Sequence, residues 1–136
     1  ESYFKLEKTN SVTRELKLVD AMSNPQDYLQ ERYGQNYKEI LAIQQELNNY
    51  DKIHDNLPYY QAEVIYQVRN EQAKTVEDVL LRRTREMFLD AKAALESAEL
   101  VANLMAKEMN KPENWTTQQI EHIRGLAKLY MVQSIL

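Results

Sequence analysis

The chain holds two glycines and three prolines in 136 residues, against ordinary usage of about 7% and about 5%. No other feature narrows its fold so far. A sandwich or barrel turns roughly every ten residues, and those turns draw on Gly, Pro, Asn and Asp for backbone angles that other residues avoid. Five glycines and prolines cannot serve so many turns, so an all-α fold is expected. The length suits one domain, which at this size buries about two thirds of its unfolded surface. Cysteine is absent, which removes disulfides, thiolate metal sites and a cysteine nucleophile. A net charge of −4, from 17 basic and 21 acidic residues, argues against nucleic acid as a partner. The longest uncharged run, Leu129 to Leu136, has eight residues, short of the ~20 of a membrane span, so no transmembrane segment is expected. The chain opens on Glu1 rather than methionine, and a piece of a longer polypeptide is expected.

Residues 1–24 show mixed charge and no sustained apolar period, with Leu16-Lys17-Leu18 alternating as a short extended segment. They are read as an extended linker arm, and 25–136 as the helical domain. Asn24-Pro25 with Asp27 predicts a helix over Gln26–Tyr33, capped by Asn24 and stopped at Gly34. Ile40, Ile43 (or Gln44) and Leu47 predict a second helix over 37–47. Asn48-Asn49 and the segment Asp51–Pro58 predict a loop, and Val64, Ile65 and Val68 face inward on a helix over 62–70. Thr75 caps the next helix, with Glu77 and Asp78 in its first turn. Beyond it Phe88, Leu95, Ala102 and Met109 recur every seven residues, as do Thr84, Ala91, Ala98 and Met105. Together they read as one buried seam of the kind that packs helices at a shallow angle. Asp90 or Ser97 offers a cap for a kink within it. A Thr116/Gln119 capping box begins the last helix, with Ile120, Ile123, Ala127 and Tyr130 inward. The architecture expected is a small bundle of about five helices.

The side chains point away from catalysis. Zinc or di-iron sites require three or four converging ligands, for instance Glu-x-x-His on two helices. Only His54 and His122 exist, and Gln119 stands three residues before His122; both histidines are read as solvent-exposed. The lone glycines Gly34 and Gly125 make neither a nucleophile elbow nor a phosphate loop nor a dinucleotide fingerprint. No catalytic, cofactor-binding or metal residue is therefore assigned. The tyrosines crowd into the first half, eight of nine between Tyr3 and Tyr66. They suit irregular packing there, or, for Tyr59-Tyr60, contact with another domain. The densest charge is Arg82-Arg83-Thr84-Arg85, preceded by Arg69 and Lys74. Ion pairs from Arg82 to Asp78 and Glu86 at four-residue spacing would make it a solvated face. The other reading gives the guanidinium forks to carboxylates and carbonyls across an interface.

The run Val68-Arg69-Asn70-Glu71-Gln72-Ala73-Lys74-Thr75-Val76-Glu77-Asp78-Val79-Leu80-Leu81-Arg82-Arg83-Thr84-Arg85 resembles the carboxy-terminal helical domain of the FAD-dependent (aerobic) glycerol-3-phosphate dehydrogenase and alpha-glycerophosphate oxidase family. The resemblance continues through Phe88-Leu89-Asp90-Ala91-Lys92-Ala93-Ala94 and Val101–Glu108, and covers about residues 16–130. It implies a parent flavoprotein that oxidises glycerol 3-phosphate to dihydroxyacetone phosphate and passes electrons through FAD to quinone, or to oxygen in oxidase relatives. This chain would be its non-catalytic cap, inactive alone and without a cofactor of its own. The partner implied is the amino-terminal flavin and substrate portion of the same polypeptide, joined through the arm 1–24, with a second subunit also open. Arg69, Glu71, Arg82, Arg83 and Thr84 are the candidates for that interdomain interface. The cytoplasm is the expected compartment, and the inner face of the cytoplasmic membrane is open to the parent as a peripheral site. A reading of a different class is a free-standing helical protein–protein interaction module.

Overall fold

The computed structural model describes residues 10–13, 15–16 and 20–131. Among them are six α-helices and no strand, the all-α class that scarce turn residues require. Two compact units divide the chain, Glu1–Tyr37 and Lys38–Leu136. The expected linker arm 1–24 lies partly outside the described residues, as do Lys17 and Leu18 of its extended segment. Its described part contains a turn, in which the Glu15 and Leu16 amides donate to the Val12 carbonyl.

In the first unit α1 spans Tyr28–Tyr33. Its cap is Asp27, whose Oδ1 accepts from the Gln30 amide at 2.9 Å, so the helix begins two residues later than Asn24-Pro25 suggested. Asp27 meets the requirement better: its backbone is extended and its carboxylate sits at the positive end of the helix. Gly34 ends α1 as expected, at φ 53°. Its lack of a side chain is needed twice over, because a Cβ there would lie 2.0 Å from the Asp20 carbonyl oxygen. That oxygen accepts from the Gln35 amide at 2.8 Å.

The second unit is built around one central helix. Helix α2 (Tyr37–Leu47) matches its predicted bounds, with Ile40, Ile43 and Gln44 buried. Asn48, in the left-handed conformation at φ 46°, turns the chain into a loop anchored by buried Ile53, Leu57 and Tyr59. Helix α3 (Gln61–Asn70) follows, and six successive residues, Ala62 to Gln67, are buried. At its start the Glu63 carboxylate accepts from the Tyr60 amide at 2.7 Å. A widened π-helical turn, Asp78–Arg83, leads to the single-turn α4 (Glu86–Leu89). Helix α5 (Ala91–Glu108) packs against α3, the π-helical turn, α4 and α6 (Glu113–Tyr130). Its buried face, Ala93, Ala94, Ser97, Ala98, Val101, Ala102 and Met105, is mostly small, which lets neighbouring backbones approach.

The expected seam fails through two backbone breaks. The heptad spacing implies continuous helix through 84–91, but Arg85 is left-handed at φ 60° and Asp90 has φ −151°. Each break resets the phase. Met87 is therefore fully buried and Phe88 is 56% exposed, while Leu95 and Met109 are only half-buried. The cap at Asp90 is real, its Oδ1 accepting from the Ala93 amide at 2.9 Å; Ser97 instead lies within α5 and donates to the Ala93 carbonyl. The last helix also starts a turn early, at Pro112-Glu113. Gln119 is then no capping residue, and its Oε1 accepts from the Val76 amide at 3.0 Å. Of the inward face expected on α6, Ile123 and Ala127 are buried, Ile120 is half-buried and Tyr130 lies at the surface.

Chemical denaturation separates the observed register from the heptad count. Ile123→Ala removes a fully buried side chain and should cost about 2–5 kcal/mol. Phe88→Ala should cost under about 1 kcal/mol, the range of surface changes. The reverse ranking in urea melts would restore the continuous seam.

Candidate functional site

The segment carrying the charged cluster begins with a reciprocal cap. Thr75 Oγ1 accepts from the Asp78 amide at 3.1 Å, and Asp78 Oδ2 accepts from the Thr75 and Lys74 amides at 3.0 Å each. Three orphan donors are satisfied at the first turn. Further on, the Thr84 amide reaches back five residues to the Val79 carbonyl at 2.9 Å, and the Thr84 hydroxyl donates to the same oxygen at 2.9 Å. The five-residue reach of the amide defines the widened turn. The break at Arg85 leaves the Thr84 carbonyl outside the helical ladder, where the Tyr59 hydroxyl donates to it at 2.6 Å. Tyr59 and Thr84 are both buried, so Tyr59 packs within its own unit.

The five interface candidates separate into different surroundings. Arg69 binds two carboxylates, both in bidentate fashion: Glu46 at 2.8 and 3.0 Å and Glu108 at 2.7 and 3.2 Å. It thereby ties α2 and α5 to the end of α3. Arg83, 21% exposed at its side chain, donates to the main-chain carbonyls of Glu71 and Asp78 and lies 3.6 Å from the Glu71 carboxylate. Thr84 is interior. Arg82 is the most exposed of the three arginine candidates, 55% at its side chain against 34% for Arg69, and pairs with Glu77 at 2.6 Å and Asp78 at 2.8 Å. The expected Arg82–Glu86 pair does not form, because the break at Arg85 turns Glu86 into the interior, where it is fully buried.

The histidines also divide. His122 is exposed and meets Glu77 at 2.6 Å. His54, expected in solvent, has a side chain only 18% exposed and meets Glu96 at 3.0 Å. Its Nδ1 accepts from the Asn56 amide, an arrangement that leaves the proton on Nε2 to be donated to Glu96. Among the described residues no group of three or more potential metal ligands converges. The glycines offer no phosphate cradle, since Gly34 faces the Asp20 carbonyl and Gly125 lies inside α6.

Electrostatics follow the geometry. Burial alone would raise the Asp78 carboxyl, but the Lys74 and Thr75 amides, the Thr75 hydroxyl and Arg82 together hold it below its ordinary value. Glu46 is lowered by its hydrogen bonds from Arg69. Arg69 is in turn raised by hydrogen bonds to Glu46 and then Glu108.

One surface feature was not anticipated. Phe88 and Leu89 on α4, with Leu129 and Tyr130 at the end of α6, are exposed. Phe88 and Tyr130 meet edge to face, ring centroids 5.2 Å apart, and the Arg85 guanidinium lies 5.7 Å from the Phe88 ring centroid. The signal that would have revealed the patch is a break at Arg85, which no residue preference indicates.

The profile of the C-terminal domain of alpha-glycerophosphate oxidase matches residues 6–120. A probable mitochondrial glycerol-3-phosphate dehydrogenase of Dictyostelium discoideum is 33% identical over 92 residues, 65% of this chain and 14% of that protein. A mitochondrial glycerol-3-phosphate dehydrogenase of Arabidopsis thaliana is 28% identical over 103 residues, 76% and 16% of the two chains. The mitochondrial glycerol-3-phosphate dehydrogenase of Homo sapiens is 39% identical over 67 residues, 49% and 9%. The matched stretches thus span only 9% to 16% of these relatives. No solved structure matches significantly.

The two neighbouring arginines should respond differently to truncation. Arg83→Ala removes the side-chain donor to the Glu71 carbonyl and should destabilise the chain by about 1–3 kcal/mol. Arg82→Ala breaks exposed ion pairs and should cost about 0–1 kcal/mol. Equal effects in thermal melts would contradict the assignment. A second expectation concerns pH. The folded Asp78 carboxyl lies below its ordinary value, so its contribution is present above the unfolded value of about 3.9 and fades as pH falls through the folded one. Asp78→Asn should therefore flatten the loss of stability on acidification below about pH 4; an unchanged slope would show that Asp78 does not contribute.

Proposed function

Because this chain belongs to the family of the C-terminal domain of alpha-glycerophosphate oxidase, shared with glycerol-3-phosphate dehydrogenases, we propose that it is the non-catalytic helical cap of an FAD-dependent enzyme that oxidises glycerol 3-phosphate. The observation that carries this is the family match over residues 6–120, on a chain that corresponds to a small fraction of its relatives. In this reading FAD, the substrate site and the transfer of electrons to quinone or oxygen belong to the amino-terminal portion of the parent. The cap contributes a preformed, braced surface for that portion to rest on. In this reading its own residues hold no proton or electron in the reaction; Arg69, Asp78 and Arg83, for example, are engaged with backbone groups or carboxylates.

The parent is proposed to act in the cytoplasm, attached peripherally to a membrane surface. No helix among the described residues is long and apolar enough to cross a membrane. The relatives above are mitochondrial by name, so cell fractionation against mitochondrial markers tests the compartment. The second reading, a free-standing interaction module, is favoured by one observation, the exposed patch at Phe88, Leu89, Leu129 and Tyr130.

Expression of the complete reading frame separates the two. The expected product is yellow, with a flavin spectrum bleached by glycerol 3-phosphate, while the 136-residue chain alone is colourless and inactive. A flavin spectrum from the short chain, or a colourless and inactive full-length protein, would overturn the proposal.

A further inference from the structure

We propose that the patch formed by Arg85, Phe88, Leu89, Leu129 and Tyr130 is the surface on which the amino-terminal flavin portion of the same polypeptide docks, an inference that rests on the function proposed above. Its first support is concentration. Eight large apolar side chains are exposed among the described residues, and four of them lie in the two short stretches 88–89 and 129–130. Scattered apolar residues are normal on a protein surface, whereas a contiguous group marks a contact. The Phe88–Tyr130 edge-to-face pair makes this group contiguous across two helices.

The second support is how α4 is built. Four residues between a left-handed Arg85 and the capping Asp90 form an isolated helical turn. Its inner side places Glu86 and Met87 in the core, and its outer side is Phe88-Leu89. A turn with breaks at both ends holds its outer side chains in one orientation, and a rigid aromatic with an arginine beside it is the composition of an interface anchor. The third support is that the interface candidates already have contacts inside their own unit, Arg69, Arg83 and Thr84 through the bonds above and Arg82 with Glu77 and Asp78.

The occupant follows from the size of the relatives. Stretches equivalent to this chain make up 9% to 16% of them, and the matched family is a C-terminal domain. Most of such a polypeptide precedes this domain and is tethered to it, so its effective concentration at the patch far exceeds that of any separate protein.

The test is alkylation of the full-length protein carrying Leu89→Cys or Leu129→Cys, with Lys107→Cys as an exposed reference, read by peptide mass spectrometry after iodoacetamide. Both patch positions should react at least about tenfold more slowly than the reference, because thiol reactivity follows exposure. Equal rates in a yellow, active protein overturn the docking surface and leave the proposed function standing. A colourless, inactive full-length protein overturns both. Protection that appears only as protein concentration rises assigns the patch to a second copy and overturns the inference as well. Should the cysteine variants fail to fold, Leu89→Glu serves instead. With its flavin retained, it should speed limited proteolysis between the two portions by at least about threefold, and an unchanged rate is a failure.

Discussion

The hydrogen bond from the Tyr59 hydroxyl to the Thr84 carbonyl is the contact on which the arrangement of the second unit turns. A buried carbonyl without a donor is costly, at about 1–3 kcal/mol, and the left-handed Arg85 removes Thr84 from the helical ladder. Tyr59 supplies the donor from a loop 25 residues earlier. With that carbonyl satisfied, the chain can leave the π-helical turn, reverse the phase of its side chains and place Met87 rather than Phe88 in the core. The loop 48–60, whose anchors Ile53, Leu57 and Tyr59 are buried, is thereby part of the core machinery.

Arginine braces this framework from the outside. Arg69 draws two carboxylates from separate helices onto one guanidinium, using the planar fork that lysine lacks. Arg83 spans Glu71 and Asp78, the chain just beyond α3 and the first residue of the π-helical turn. Arg69 braces at the surface, where the Glu46 side chain is 53% exposed, and Arg83 in a half-buried position. Their partners are backbone carbonyls or carboxylates with a defined geometry, so their role is to hold elements that the small residues of α5 bring close together. Arg82, one position away, has the bland role that spacing alone suggests. Adjacent residues of one type thus differ in function because the turn that bears them is wider than an α-helix.

The same break that buries Met87 exposes Phe88 and Leu89. The two facts are one event seen from both sides: a helical turn rotated by its boundaries must show solvent what the regular helix would have hidden. The apolar surface so produced is maintained by an unfavourable backbone conformation at Arg85, a non-glycine residue at positive φ. Such a conformation persists only where its surroundings demand it, and here the reciprocal cap, the doubly used Val79 carbonyl and the Tyr59 bond supply that demand.

Composition alone determined that the chain is helical, and cap residues and apolar spacing placed most of its helices. The bounds of α2, the end of α1 at Gly34 and the caps at Thr75 and Asp90 were all legible, because each depends on contacts within a few residues. The run from Val68 to Arg85 likewise carried the family. The register through 84–91, the burial of Glu86, the start of α6 at Glu113 and the partners of Arg69 and Arg83 were decided by tertiary structure. Arg85 has no intrinsic preference for a left-handed backbone; it adopts one because Tyr59, distant in sequence, can accept the consequence. Periodicity counts residues along an unbroken helix, and no count anticipates a break whose compensation comes from another part of the fold.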